Sequence, residues 1–393
     1  MSIPNDDVAG SIAHAGEGER DYLRSFANAA LWLTVWKIVY ALLIVLLILL
    51  LPDIYNAGGF YGNFHRTAVP SPPLARYFET WDAQPYLAIS ESGYRQRSQV
   101  DAFYPLWPLF IRALSPLTGG NHLVSALVLT NVFSVLGLAL LFCYLQKEFG
   151  RAAAEKTLAL VLAVPGALFF NVPYSESLFL LLSAAILFSV RERRGAAAGA
   201  ASLLSVLTRP TGLFWIPFFL LEFARNRRKL EAGLLLATVA GFGIYLATMW
   251  VMTGNPFVQL AVANMFTGTH SLRNFVDLRG FVESFGNVHP FFSFTDSPFD
   301  RLAFLWCLAA LPFIYKLDRM LFSYAISMGI LPAVAGHFMS YLRFSALDFP
   351  VMLVTAIAFT KGRKTPAFAI LVGGLLMLQV LMLIRHINFV WVA

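Results

Sequence analysis

Long apolar runs recur along almost the whole chain and constrain it to a membrane fold. A helix needs roughly 20 apolar residues to cross the hydrocarbon of a bilayer, and fewer where it packs inside a bundle. Hydrophobic residues make up 58% of the chain and charged residues only 13%, so a soluble globule would leave large apolar surfaces exposed. We predict an all-α transmembrane bundle of about eleven spans, at residues 29–51, 123–145, 157–172, 175–190, 196–208, 212–223, 232–252, 302–315, 320–338, 344–360 and 366–384.

Basic residues gather in one set of short loops and predict the orientation of the bundle. These loops lie at residues 147–156, 191–194, 225–229, 316–319 and 361–364. Loops rich in Lys and Arg face the cytoplasm, so we expect a cytoplasmic N-terminus, an external C-terminus and two long outer loops, 52–122 and 253–301. The net charge of +7 then belongs to the inner side of the membrane and is not a nucleic-acid-binding surface.

The polar N-terminal segment differs from the rest of the chain. Residues 1–22 are mildly acidic, without a basic stretch leading into a short apolar core, which indicates a disordered cytoplasmic tail and not a cleaved signal. No linker divides the remainder, so residues 23–393 are expected to form one membrane domain. Cys143 and Cys307 both lie in apolar runs, and they provide no disulfide framework.

In this topology, the unusual polar residues at the ends of spans fall on the outer side. They are Asp82, Asp101, Asn171, Tyr174, Glu176, Arg209, Arg343, Arg385, His386 and Asn388. Ionisable residues at bilayer depth are costly and usually face a cavity, so their convergence on one face predicts a functional site. The alternative is that outer span ends are polar in any case.

Residues 78–94, FETWDAQPYLAISESGY, are the most informative stretch of the first outer loop. They predict a short helix that opens at Trp81-Asp82, runs through Ile89 and is closed by Gly93. Asp82 stands where an N-cap would, so its carboxylate either caps backbone N–H groups or performs chemistry. The aromatic, apolar segment after Asp101 is too short to span, and we expect it to lie flat at the membrane interface.

Other candidate residues each have a structural alternative. Glu176 is either a first-turn acid favoured by the helix dipole or a substrate contact. Arg209 and Arg343 are either snorkelling anchors or ligands for a phosphate. His337 is either a packing histidine or a contact of the same site, and no His or Cys pair has the spacing of a metal site. The sequence Arg209-Pro210-Thr211-Gly212 predicts a tight turn between two short spans.

Six segments resemble, in order, the PIG-V-like family of multi-spanning mannosyltransferases, which comprises the second GPI mannosyltransferase and its bacterial relatives. The segments are WDAQPYLAISESGY, DAFYPLWPLF, ALFFNVPYSESLFLLLSAAI, LTRPTG, SYLRF and HINFVWVA. The resemblance covers nearly all of the chain after the N-terminal tail. It implies a branch of the GT-C glycosyltransferases, with a transmembrane helical bundle, juxtamembrane helices on the outer face and an acidic residue in the first outer loop.

The resemblance also implies a substrate class. Enzymes of this kind use a polyprenyl-phosphate sugar as donor, so we expect transfer of a hexose, mannose in this family, to a lipid-linked or glycan acceptor. The short loops favour a bacterial cytoplasmic membrane with the site on its outer face, and no retention signal is recognisable. No cofactor is expected, and a divalent metal is neither required nor excluded.

The chemistry of such a donor predicts a role for each candidate residue. A phosphate departs as an anion with little need for an acid, whereas the incoming hydroxyl must lose its proton, so one carboxylate suffices; glycoside hydrolysis instead uses two. We predict Asp82 as the general base of an inverting, in-line transfer, with Arg209 and Arg343 facing the departing phosphate. The predicted substrate contacts are Trp81, Asp101, Tyr104, Tyr174, Glu176, Arg209, His337 and Arg343.

Two other classes of protein remain open at this point. A transporter or flippase of a lipid or glycan intermediate would also be polytopic with buried charges, but repeated halves and polar residues near the midplane would be expected of it. The second alternative is a non-catalytic partner in a glycan pathway.

Overall fold

A computed structural model of the protein describes residues 6–51, 54–64, 73–94, 99–267, 272–288, 297–360 and 365–392, without the side chains of residues 6–20, 263–267 and 272. All regular secondary structure in these ranges is helical. The α-helices are α1 Asp6–Leu50, α2 Ala57–Gly62, α3 Ala83–Ser92, α4 Leu106–Leu114, α5 His122–Phe149, α6 Arg151–Ala163, α7 Glu176–Arg191, α8 Gly195–Thr208, α9 Trp215–Asn226, α10 Lys229–Thr253, α11 Val258–Thr267, α12 Leu278–Gly286, α13 Pro298–Leu317, α14 Arg319–Ala325, α15 Leu331–Gly336, α16 Tyr341–Ser345, α17 Phe349–Ala358 and α18 Thr365–Ile387.

Six helical segments are long and apolar enough to cross a membrane. They are Asp21–Leu50 of α1, α5, α10, α13, the segment Arg319–Gly336 and α18, and each coincides with a predicted span. The segment Arg319–Gly336 includes one π-helical turn at Ile326–Ile330, which joins α14 to α15. The other five predicted spans overlap the shorter helices α6, α7, α8, α9 and α17. The prediction of a span at 157–172 is wrong beyond Ala163, where α6 ends and a 3-10 helix follows. The chain is therefore a multi-pass membrane protein, while the number of crossings and the orientation remain predictions.

Two other predictions concern segments that are only partly described. The expected disordered tail, 1–22, overlaps residues 1–5, which lie outside the described residues, and residues 6–20, which belong to α1; its disorder stays a prediction. The predicted inner loop at 361–364 also lies outside the described residues.

Close backbone contacts hold the centre of the bundle together. Helix α5 packs against α1 and α7, α7 packs against α8, and α8 packs against α10. A Cβ added to Gly137 of α5 would lie 2.9 Å from the backbone nitrogen of Leu181, and one added to Gly241 of α10 would lie 2.7 Å from the carbonyl oxygen of Leu203. Small residues are what allow membrane helices to approach this closely.

The predicted turn at Arg209 is confirmed. Helix α8 ends at Thr208, Arg209 is extended (φ −169°, ψ 161°), and a short 3-10 helix at Pro210–Phe214 leads into α9. Gly212 is required here because a Cβ would collide with the carbonyl group of Ser205 in α8. The chain therefore turns at this point, and Arg209 lies in the turn between α8 and α9, outside both helices.

The connection from α6 to α7, residues 164–175, is a segment inside the bundle that is not α-helical, and we call it the buried turn. Its 3-10 helix, Pro165–Phe170, is fully buried. Side chains from four different helices donate hydrogen bonds to carbonyl oxygens in or next to the turn: Lys37 to Phe170, Trp107 to Pro173, Thr130 to Val172, and Gln379 to Leu162 and Val164. Irregular backbone is tolerated at such depth only where protein groups satisfy its polar atoms.

Candidate active site

Helix α3 places Asp82 at the edge of a cavity. As predicted, the helix is followed by Gly93, whose φ of 75° suits glycine. Asp82 occupies the N-cap position, but its carboxylate makes no capping hydrogen bond. Instead, its Oδ2 accepts a hydrogen bond from Nη1 of Arg343 at 2.6 Å. The capping interpretation is therefore wrong for this side chain, which stays 21% exposed.

Two acids and two guanidinium groups form what we call the charge network: Asp82, Glu176, Arg209 and Arg343. Arg343 of α16 pairs with Asp82 and, through Nε, with Glu176 in the first turn of α7. Glu176 Oε1 also lies 2.9 Å from Nη1 of Arg209. Since Glu176, Arg209 and Arg343 are all buried, each would be strongly destabilising without its partners. The four formal charges balance.

Aromatic rings of the buried turn support Arg343. Its guanidinium carbon lies 5.3 Å from the ring centre of Phe169 and 5.0 Å from that of Tyr174, within the range of cation–π attraction. The Tyr174 hydroxyl accepts a hydrogen bond from the backbone N–H of Asp82 at 3.2 Å and donates one to the carbonyl oxygen of Thr80 at 3.1 Å. Tyr174 therefore joins the buried turn to the backbone that carries Asp82.

A cavity of about 230 Å³ opens in front of this network. Asp82, Arg209 and Arg343 supply its charged groups, and the other lining residues are Asn63, Trp81, Pro85, Tyr86, Ala102, Phe103, Tyr104, Pro210, Gln259, Met339, Ser340, Phe344 and Trp391. Mostly apolar and aromatic walls with a few convergent polar groups are typical of small-molecule sites.

The C-terminal segment forms one wall of the cavity. Trp81 has a left-handed backbone (φ 42°), which is strained for a bulky residue. Its ring stacks on Phe389, with centroids 4.7 Å apart, and meets Trp391 edge-on at 5.3 Å. Asn63 donates a hydrogen bond to the Trp81 carbonyl oxygen at 3.0 Å. These contacts hold Trp81 in its strained conformation, and they thereby fix the position of the first turn of α3.

Tyrosine hydroxyls near the cavity stay protonated. The Tyr86 hydroxyl lies 2.9 Å from Oγ of Ser175, and burial raises the pKa of Tyr86 well above its usual range. Tyr104 stacks on Tyr245 with centroids 4.2 Å apart, and burial, with Tyr245 beside it, raises the pKa of Tyr104 likewise. Both side chains are neutral hydrogen-bonding groups over the physiological pH range.

The structure brings together most, but not all, of the predicted site residues. Trp81, Asp82, Tyr104, Arg209 and Arg343 line the cavity, and Tyr174 and Glu176 lie directly behind them. Asp101 is buried in the 3-10 helix Gln99–Ala102 and does not line the cavity. His337 ends α15 with φ 45° and packs near Phe281, with ring centroids 6.4 Å apart, so it does not line the cavity either.

Two features of the site escaped sequence reasoning: Trp391, which lines the cavity, and Lys37, which contacts the buried turn. His386, one of the polar residues predicted at the outer span ends, lies in α18 and holds Thr80, with Nε2 2.8 Å from the threonine Oγ1. Lys37 is a lone charged residue in the first predicted span, and that was a usable signal because a charge inside a span marks a functional region. Among the described residues, no three His, Cys, Asp or Glu side chains gather where they could hold a metal ion.

Several solved structures are similar to this chain at low sequence identity. The oligosaccharyltransferase of Archaeoglobus fulgidus in complex with Zn and sulfate has a TM-score of 0.48 at 14% identity, covering 89% of this chain and 53% of its own. The A. fulgidus oligosaccharyltransferase AglB, with an inhibitory peptide and dolichol-phosphate, has a TM-score of 0.47 at 13% identity, covering 91% and 56%. ArnT from Cupriavidus metallidurans, bound to undecaprenyl phosphate, has a TM-score of 0.46 at 16% identity, covering 86% and 62%. This chain thus spans about half to three fifths of the length of these proteins.

The sequence of the chain also matches a known protein family. No curated protein matches the chain significantly. The family model "Mannosyltransferase (PIG-V)" matches residues 74–317, a range that includes Asp82, Glu176 and Arg209 of the charge network and ends before Arg343. Because the match spans more than half of the chain and contains the helix that presents Asp82, this protein belongs to the PIG-V mannosyltransferase family.

Proposed function

We propose that this protein is an inverting glycosyltransferase that moves a hexose, mannose by its family, from a polyprenyl-phosphate sugar to a hydroxyl group of a lipid-linked or other acceptor. One observation carries the proposal: the partly exposed carboxylate of Asp82 shares a cavity with the guanidinium groups of Arg209 and Arg343. A base beside two phosphate-binding groups suits a reaction in which a hydroxyl attacks and a phosphate leaves. We place this site on the outer face of the membrane.

The reaction assigns a role to each group. The acceptor oxygen forms a bond to the anomeric carbon while the bond from that carbon to the phosphate oxygen breaks, and its electron pair stays on the phosphate. The acceptor proton passes to the Asp82 carboxylate, and the anomeric centre inverts. Arg209 and Arg343 stabilise the charge that develops on the leaving phosphate.

The charge network also suggests an order of events. In the structure, the Asp82 carboxylate accepts a hydrogen bond from Arg343, so an acceptor hydroxyl group would have to compete with the guanidinium group for this carboxylate. A donor phosphate would compete for the same guanidinium, whereas Glu176, buried behind it, would keep Arg343 in place. Donor binding would thus free Asp82 for the acceptor hydroxyl, and we propose that the donor binds first.

Asp82→Asn tests the proposed base. We expect kcat for transfer from a polyprenyl-phosphate mannose to fall by about 100- to 10,000-fold, with donor binding retained, because Asn keeps the shape of the side chain but cannot accept the proton. The measurement is product formation by purified protein in detergent. Asp277→Asn is the matched control, since Asp277 is an exposed N-cap residue of α12 and Asn caps a helix equally well.

Near-normal turnover of Asp82→Asn would overturn the assignment of the base. If the wild-type protein moves the lipid across vesicles without forming a new glycosidic bond, the protein is a flippase and the transferase proposal is wrong.

A further inference from the structure

Lys37 is a charged residue in the middle of a membrane-spanning helix. It is only 6% exposed, and α1 around it is otherwise apolar through residue 51. A lysine at this depth is costly to insert into a bilayer. A residue with that cost needs a compensating function.

The contacts of Lys37 lie at one end of the buried turn. Its Nζ donates to the carbonyl oxygen of Phe170 at 2.6 Å and to Oδ1 of Asn171 at 2.8 Å. Phe170 is the last residue of the 3-10 helix, and Asn171 is its C-cap. An amine donor at the C-terminal end of a helix satisfies carbonyl groups that have no partner within the helix.

The same short turn carries two groups that hold the charge network. Phe169, immediately before Phe170, lies against Arg343 and stacks on Tyr174 with centroids 5.2 Å apart. Tyr174 accepts the hydrogen bond from the Asp82 backbone. A shift of the turn would therefore move both the aromatic support of Arg343 and the backbone partner of Asp82.

We propose that Lys37 is a positioning residue for the transferase site and acts through the buried turn and Tyr174 on Asp82. This inference rests on the proposed function. Lys37 does not line the cavity, and its contribution is to keep Asp82 and Arg343 correctly placed relative to each other. Small displacements of reacting groups have large kinetic effects: about 1 Å can reduce the rate 100-fold.

A double-mutant cycle tests this role. Lys37→Met removes the ammonium group and fills a similar volume, and Tyr174→Phe removes only the hydroxyl group. We expect each to lower kcat by about 10- to 100-fold, and the double variant to be no slower than the slower single variant, because both break the same chain of contacts. The measurement is kcat for mannosyl transfer, alongside the Tm of each purified variant.

Thr238→Val is the control, since Thr238 is a fully buried polar residue of α10 whose hydroxyl group donates to the carbonyl oxygen of Leu234 in the same helix; it should leave kcat unchanged. The inference is wrong if Lys37→Met has a normal kcat. It is also wrong if the fold-loss of kcat in the double variant equals the product of the fold-losses in Lys37→Met and Tyr174→Phe. If Lys37→Met does not fold, Lys37→Gln, which keeps a donor group, replaces it in the cycle and the same two outcomes decide. An inactive wild-type protein would instead count against the proposed function.

Discussion

Arg343 is the residue on which the site depends most. It contacts Asp82, Glu176, Phe169 and Tyr174 at once, and these contacts use both the fork of donors and the flat face of the guanidinium group. Lysine has the same charge but neither the fork nor the face. Arg209 reaches Glu176, and its guanidinium carbon lies 5.0 Å from the ring centre of Phe344, but it forms no salt bridge with Asp82.

Arg343→Lys and Arg209→Lys should therefore differ in severity. A hydrogen bond to a charged group contributes about 1.5–3 kcal/mol, so we expect Arg343→Lys to lower kcat/KM for the donor by about 10- to 100-fold. Arg209→Lys should lower it less, because that residue does not hold Asp82. Steady-state kinetics with varied donor concentration measure both effects.

The control is Arg279→Lys, which changes an exposed arginine of α12 that pairs with Glu283 and should leave kcat/KM unchanged. If both cavity variants bind and turn over the donor normally, these arginines do not meet its phosphate.

Helix α16 shows how a short element is held in place. It has five residues, too few to be stable by itself. The backbone N–H of Leu342 donates to Oδ1 of Asp300 in α13 at 2.7 Å, and the 3-10 helix of the buried turn packs on its other side. Gly166 allows that contact, because a Cβ there would collide with the carbonyl group of Leu342.

Gly166→Ala should displace α16 and Arg343 with it. We expect a loss of stability of about 1–3 kcal/mol from overpacking and a fall in kcat, since the added methyl group meets backbone that cannot rotate away. Thermal unfolding in detergent and transfer assays measure the two effects.

Gly233→Ala in α10 is the matched substitution, as nothing lies within 4 Å of its added Cβ. It should be neutral or stabilise the helix by up to ~1 kcal/mol. Equal behaviour of the two alanine variants would show that the contact between Gly166 and Leu342 does not hold α16.

At the scale of the whole molecule, the surface of the long helices is apolar where it faces outward. Leu31 and Leu49 of α1 are 68% and 70% exposed, and Ile370 of α18 is 76% exposed, as expected for side chains that meet lipid. The basic loops and the cavity lie at span ends, and the proposed orientation places the cavity outside. Both native cysteines are buried, which makes the orientation open to measurement by thiol labelling.

Single introduced cysteines at the two faces test the orientation. Asn287 follows α12 in the predicted outer loop 253–301, Arg228 precedes α10 in a basic loop, and both are exposed. We expect a membrane-impermeant maleimide to label Asn287→Cys in intact cells and Arg228→Cys only after permeabilisation, with the wild-type protein as the unlabelled control. The opposite pattern would place the proposed active site in the cytoplasm.

Sequence reasoning succeeded where the determining interactions are local. The limits of α3 and the turn at Arg209 both depend on neighbours a few residues away, such as Gly93 or Pro210. The interfacial position of α4 stays a prediction. Sequence reasoning failed for Asp101 and His337, because whether a polar residue at a span end faces the cavity depends on side chains that lie far away along the chain. The capping interpretation of Asp82 failed for the same reason.

The sequence by itself determined that the chain crosses a membrane and that Asp82 opens a short helix, because burial of apolar runs and helix termination are properties of contiguous residues. Only the tertiary structure decided that this carboxylate meets Arg343, 261 residues further along the chain, with Glu176 between the two arginines. The tertiary structure also decided that Lys37 donates a hydrogen bond to a carbonyl oxygen of the buried turn. Pairing of buried charges is enforced by desolvation, a cost that arises only once the helices have packed and water has been excluded.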